Sequence, residues 1–186
     1  GNFYAIGAVS LKPAGGGGNS FVTDTAFVNF PETEGLPDDI SVTSGLLALY
    51  IVAAGSVDGL SLVGDYYAGP LTTALHETNL TGVEAFDPIP ISSLVSGQVN
   101  TISLKNLNRI QITATTTIRL QVSGGSPTGA NYVQFAAIEH TSFAEASLVA
   151  DWVTIPPTPP DLPPEGGYEP PDPDDEFVIE IGDYTP

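Results

Sequence analysis

The sequence predicts an all-β protein: an antiparallel β-sandwich, jelly-roll-like, followed by an extended Pro-rich C-terminal arm. Three observations carry this prediction. The run from Ile110 to Val122 alternates apolar and polar residues without a break. About eight apolar, β-branched or aromatic runs are separated by Gly, Pro, Asn and Asp. Sustained helical periodicity is almost absent. The implied organisation is a β body over 1–155, an acidic proline-rich spacer over 156–175 and a terminal strand-like segment over 176–186.

The elements follow in order. Asn2–Leu11 is apolar and suits a first strand. Lys12–Ser20 contains four consecutive glycines, Gly15 to Gly18, and reads as a loop. It has neither the GxxxxGK[ST] nor the GxGxxG spacing of a phosphate cradle. Phe21–Phe30 reads as one strand stopped by Pro31. Pro31–Asp39 is an acidic loop holding Glu32, Glu34, Asp38 and Asp39. Ile40–Ala53 reads as a central strand buried on both faces, with a bulge at Gly45. Leu60–Ala68 gives another strand. Leu71–Ser96 is irregular around Asp87-Pro88-Ile89-Pro90, with a helical turn near Leu71–His76. Asn79-Leu80-Thr81 matches a glycosylation sequon, a triplet that often arises by chance.

Val99–Leu104 is a strand and Lys105–Asn108 a turn. In Ile110–Val122 period two buries one face and leaves Gln111, Thr113, Thr115, Thr117, Arg119 and Gln121 solvated or facing a partner. That parity would span about 40 Å as one straight strand. Either the strand bends between sheets, or a turn near Ala114–Thr116 preserves the parity. Ala130–His140 is a strand after a Gly/Ser/Pro turn. In Thr141–Val153, Ser142 and Glu145 have capping-box spacing. Ala146, Leu148, Ala150 and Trp152 alternate, however, and favour a strand over Ala146–Val153.

Composition narrows the function. The chain has 22 acidic residues against four basic ones, a net charge of −18. Ten of the acids lie in 151–186, where no Lys or Arg occurs, so 1–150 carries 12 − 4, or −8. Such a chain repels phosphate backbones and anionic lipid surfaces, and neither nucleic acid nor membrane is expected as a partner. The acidity favours dispersal, divalent cations, a basic partner or a high-salt setting. Cysteine is absent, which removes disulfides, thiol catalysis and Cys-ligated metal. No run reaches the roughly 20 apolar residues of a membrane span. A start at Gly1 fits removal of an initiator Met or cleavage of a longer precursor.

No catalytic constellation emerges. The two histidines, His76 and His140, lack HExxH spacing, and no GxSxG elbow is present. No catalytic residue and no organic cofactor is expected. The run Asp172, Asp174, Asp175 and Glu176 offers hard oxygen ligands for a structural calcium, but Phe177 stands where an EF-hand needs glycine. Asp58, Asp65 and the acids of Glu32–Asp39 are further candidates. Tyr66, Tyr67, Trp152 and Tyr168 are the aromatics that could serve a carbohydrate site.

The arm is the strongest functional clue. Nine of the 18 residues in Pro156–Pro173 are proline, which favours polyproline II at about 3.1 Å per residue. It delivers Phe177, Val178, Ile179, Glu180 and Ile181. Phe177, Ile179 and Ile181 share one face of a strand that needs a sheet edge, on its own body or on a neighbour. The expected assembly residues are therefore Phe177, Val178, Ile179 and Ile181.

A Gly/Thr/Ser-rich β body without Cys or enzyme motif, ending in such an arm, resembles virion structural proteins of tailed phages, especially head-decoration or tail-associated jelly-roll proteins. It is also similar to subunits of extracellular filaments that exchange strands. The resemblance rests on architecture and carries over no residues. It implies a non-enzymatic subunit of a symmetric assembly on a virion, partnered by copies of itself and other proteins of the same particle. The alternative is a secreted or cell-surface carbohydrate-binding module.

Overall fold

The structure, a computed structural model, describes residues 6–14, 21–31, 38–69, 80, 82–124, 126–136 and 143–157. Eleven strands are found among them: β1 (Ile6–Pro13), β2 (Phe21–Asp24), β3 (Ala26–Phe30), β4 (Ile40–Ser56), β5 (Ser61–Tyr66), β6 (Val83–Glu84), β7 (Ile89–Pro90), β8 (Gln98–Ser103), β9 (Thr116–Ser123), β10 (Asn131–Ala136) and β11 (Ser147–Thr154). Single 3-10 turns occupy Ile91–Ser93 and Leu107–Arg109.

All pairings among the described residues are antiparallel. β1 pairs with β10, β3 with β9, β4 with β8, and β5 with β6 and β7. β9 also pairs with β5, and β4 also with β10 and β11, which gives two antiparallel sheets. One sheet contains β2, β1, β10, β4, β8 and β11; the other contains β3, β9, β5, β6 and β7. Their inner faces meet in a single core. Val9, Leu47, Leu49, Ile51 and Val133 come from the first sheet, and Leu62, Ile118 and Leu120 from the second. Gly64 sits on that inner face because Phe86 lies against it. A Cβ there would stand 2.5 Å from the Phe86 ring.

Three expectations are corrected. Phe21–Phe30 is two strands in different sheets, broken at Thr25, whose buried hydroxyl accepts a hydrogen bond from Gln121 Nε2 (2.7 Å). β4 is buried on one face only, through Gly45, Leu47, Leu49 and Ile51, while Leu46, Ala48 and Tyr50 face outward. Its register breaks skip Thr43 and Val52 rather than marking Gly45. Gly45 is small for another reason: a Cβ would press on Ile110 and Leu107 at 3.0 and 3.1 Å. Of the two readings of 110–122, the turn holds: a bend precedes β9. Thr116 Oγ1 accepts from Gln111 N (2.7 Å) and closes a small loop. Residues 143–146 are not helical.

The chain divides into two units, Gly1–Ile155 and Pro156–Pro186. Apart from Pro156 and Pro157, every described residue belongs to the first. The Gly15–Gly18 loop, Glu32, Glu34, the Leu71–His76 turn, His140 and the arm beyond Pro157 lie outside the described residues.

Candidate assembly surface

The surface around β11 stands out among the described residues. Leu46, Leu47 and Ala48 of β4 pair both with β8 and with β11, so these two strands flank β4 on opposite edges. Ile51 likewise pairs with both β8 and β10, so β10 and β11 follow one another along the same edge of β4; the other edge of β11 has no strand partner among the described residues. The polarity of that edge follows from β4. Gly45 O accepts from Leu104 N (2.8 Å) on the β8 side. Alternation turns Leu46 and Ala48 toward β11. Across the register, Val149 and Ser147 face β4, and the backbone groups of Leu148 and Ala150 point to the outer edge.

The same parity aims the side chains. Ala146, Leu148, Ala150 and Trp152 line one groove of about 550 Å³ at the open end of the sandwich, closed opposite by Phe30, Ile110 and Ile112. Asn29, Gln111 and Glu145 add polar groups to its lining. Trp152 is 43% exposed there although it is a large apolar residue. On the other face of β11, Val149 is 55% exposed and sits directly opposite exposed Leu46. The strip continues through Tyr50, stacked on Phe143 at 4.4 Å between centroids, to Val99 on β8. Contiguous exposed apolar surface of this kind marks interaction sites.

A second feature is structural. Arg119 and Asp65 lie opposite each other on β9 and β5, on the outer face of their sheet, and each is 1% exposed. Arg119 Nε and Nη2 donate to the two carboxylate oxygens at 2.9 and 2.6 Å. The Tyr67 ring centroid lies 5.5 Å from the guanidinium carbon, and Phe27 meets Tyr67 edge-on. Gly82 N also donates to Asp65 (2.7 Å). The polar face of β9 was expected to be solvated or to face a partner; Arg119 and Gln121 are instead buried within their own chain. The sequence signal that could have found the pair is a lone Asp inside an apolar strand and a lone Arg inside another.

The third is a loop knot. Asp58 accepts from the backbone N–H of Thr128 and Gly129, the Thr128 hydroxyl and Asn131 Nδ2 (2.7 Å). The Asn131 and Thr128 side chains, opposed only partly by desolvation, lower its pKa to about 2.

These geometries redistribute the sequence candidates. Asp58 and Asp65 direct their oxygens to hydrogen-bond donors of their own chain. Among the described residues no group of three or more His, Asp or Glu could hold a metal ion. Asp172, Asp174, Asp175 and Glu176 lie outside the described residues, as do Phe177, Val178, Ile179 and Ile181, His76 and Tyr168. Tyr66 is buried, its hydroxyl donates to Lys105 O (3.0 Å), and burial raises its pKa to about 12. Tyr67 packs on Arg119 and Phe27. Of the proposed sugar platforms within the described residues, Trp152 alone lies in an open groove. The Leu46–Tyr50–Val99–Phe143 strip was not foreseen, because its members come from three separate segments. No family model and no curated protein matches the chain.

Proposed function

We propose that the protein is a non-enzymatic structural subunit of a symmetric assembly, as in the surface or decoration layer of a virion, with copies of itself as its first partners. The observation that carries this reading is β11, an edge strand with exposed apolar residues on both faces. In water such an edge is a template for another chain. The β-sandwich body and the net charge of −18 support the reading too, since like-charged particles stay dispersed.

The test is light scattering of the full chain over a range of concentrations, against Val149→Asp. Val149 is exposed, so the substitution should leave the fold intact. The expected result is a discrete oligomer that the variant loses. A chain that stays monomeric at every concentration refutes the proposal. Native particles seen by electron microscopy would fix the class.

One observation favours a second reading. Trp152 in a groove beside Asn29, Gln111 and Glu145 offers a flat apolar face with nearby hydrogen-bonding groups, the requirements of a sugar site. Trp152 is the chain's single tryptophan, so a change in its emission on titration with oligosaccharides would support a carbohydrate-binding module.

A further inference from the structure

We propose that the outer edge of β11 and the groove behind it receive the terminal segment Phe177–Ile181 of a neighbouring copy, as an added strand. The inference rests on the assembly reading and assigns its contact. Three arguments lead to it.

The first is complementarity of parity. At Leu148 and Ala150 the same residues that offer backbone groups to the outer edge aim their side chains into the groove. A strand added there places every second side chain over that groove. Phe177, Ile179 and Ile181 supply three apolar side chains at that spacing, with Val178 and Glu180 on the opposite side. The added strand would hydrogen-bond along the edge and cover the groove's apolar wall together, the two components of strand-addition recognition.

The second is position. β11 ends at Thr154, and 29 residues follow the last described residue, Pro157. The segment is therefore tethered to every copy that displays the groove, which raises its local concentration within an assembly.

The third is reach. The 21 residues from Pro156 to Glu176 include nine prolines. A segment of that composition extends to about 65 Å as polyproline II. A body of 155 residues has a radius of gyration of about 15 Å. A tether of that length suffices to span from one copy to the next. The chain's −18 charge opposes the contact between copies, so it should strengthen with salt.

Trp152 reports directly on the groove. The experiment follows Trp152 emission and sedimentation together, over a concentration series, for the full chain and for Ile179→Asp. That substitution lies outside the β body and leaves its core residues unchanged. The expected result is association accompanied by a shift of Trp152 emission to shorter wavelength, with both lost in Ile179→Asp. A synthetic peptide covering 174–183, added to the variant, should restore the emission shift without restoring association. Association that leaves Trp152 emission unmoved overturns this inference but leaves the assembly reading standing. A shift present in monomers and lost in Ile179→Asp overturns the choice of a neighbour in favour of the same chain. Absence of association at every concentration overturns both.

Discussion

Replacing Asp65 by Ala should be among the most costly single changes in the β body. The carboxylate takes two donors from Arg119 on a face where both residues are almost fully buried. At about 4 Å and an effective dielectric near 20, two such charges attract by about 4 kcal/mol. Desolvation of both ions offsets much of this, so the intact pair contributes little net stability. Removing one partner is different: it leaves the other charge buried and typically costs about 3–5 kcal/mol. The Tyr67 ring, 5.5 Å from the guanidinium carbon, still accommodates the cation. The expected cost is therefore near the lower end, about 3 kcal/mol. In a domain with about 5–15 kcal/mol of total stability this is a large share. It corresponds to a fall in Tm of roughly 6–12 °C. The assay is urea unfolding by far-UV circular dichroism for Asp65→Ala, Arg119→Met and the double variant Asp65→Leu/Arg119→Met. The double variant, which buries no charge at this site, should recover most or all of the loss. A cost below about 1 kcal/mol for Asp65→Ala, or a double variant no better than the single, would show that burial does not govern this site.

Three further outcomes are expected. Gly64→Ala should destabilise by about 1–3 kcal/mol, because its methyl group meets the Phe86 ring at 2.5 Å and Arg119 O at 3.1 Å; chemical denaturation measures it. Asp58 has a folded pKa of about 2 against an ordinary 3.8, so its charged form is favoured by folding. Its contribution is full above the ordinary value and is lost as pH falls through about 2. Asp58→Asn should flatten the dependence of stability on pH in that window, read from urea midpoints. Association of the full chain should strengthen between about 0.01 and 0.15 M ionic strength, where the Debye length falls from about 30 to 8 Å. Sedimentation at both salt levels checks it, and weakening with salt would refute the view that like-charge repulsion opposes the contact.

Much of the fold was legible because period two is a direct print of a half-buried strand. Ala146, Leu148, Ala150 and Trp152 line the groove as their alternation implied. In 110–115 periodicity alone left a bent strand and a turn open, and the loop closed by Thr116 decides for the turn. The rule failed on the other face of β9. Periodicity separates two faces but cannot say that the polar one is covered, and Arg119 and Gln121 are buried through partners 54 and 96 residues away. The break at Thr25 was invisible for a related reason. Both halves of Phe21–Phe30 are good strand sequence, and only the second sheet decides where the chain must cross. The apolar strip over Leu46, Tyr50, Val99 and Phe143 depends on register between distant strands, which a single sequence does not encode locally.

The position of β11 in the sandwich explains why its edge is the one to test. β4 has 17 residues, about 56 Å at 3.3 Å per residue. β10 pairs with Ile51–Ser56 and β8 with Leu46–Ile51, so neither reaches Ile40–Gly45. β11 covers that overhang and moves the open edge one strand outward. Edges are normally blunted by Lys, Pro or an inward charge. Ser147–Thr154 contains no Lys or Pro, and its one charge, Asp151, accepts a hydrogen bond from Ser44 on β4 (2.6 Å). The β8 edge differs. Asn100 there donates to the carbonyls of Val95 and Gln98 and accepts from Val95 N, tying its side chain to the backbone of its own segment. The β8 edge thus has a side chain turned back on its own segment, whereas β11 presents a free edge flanked by the exposed Val149, Trp152 and Val153. A second copy that needs hydrogen bonds and apolar contact at once finds both along β11.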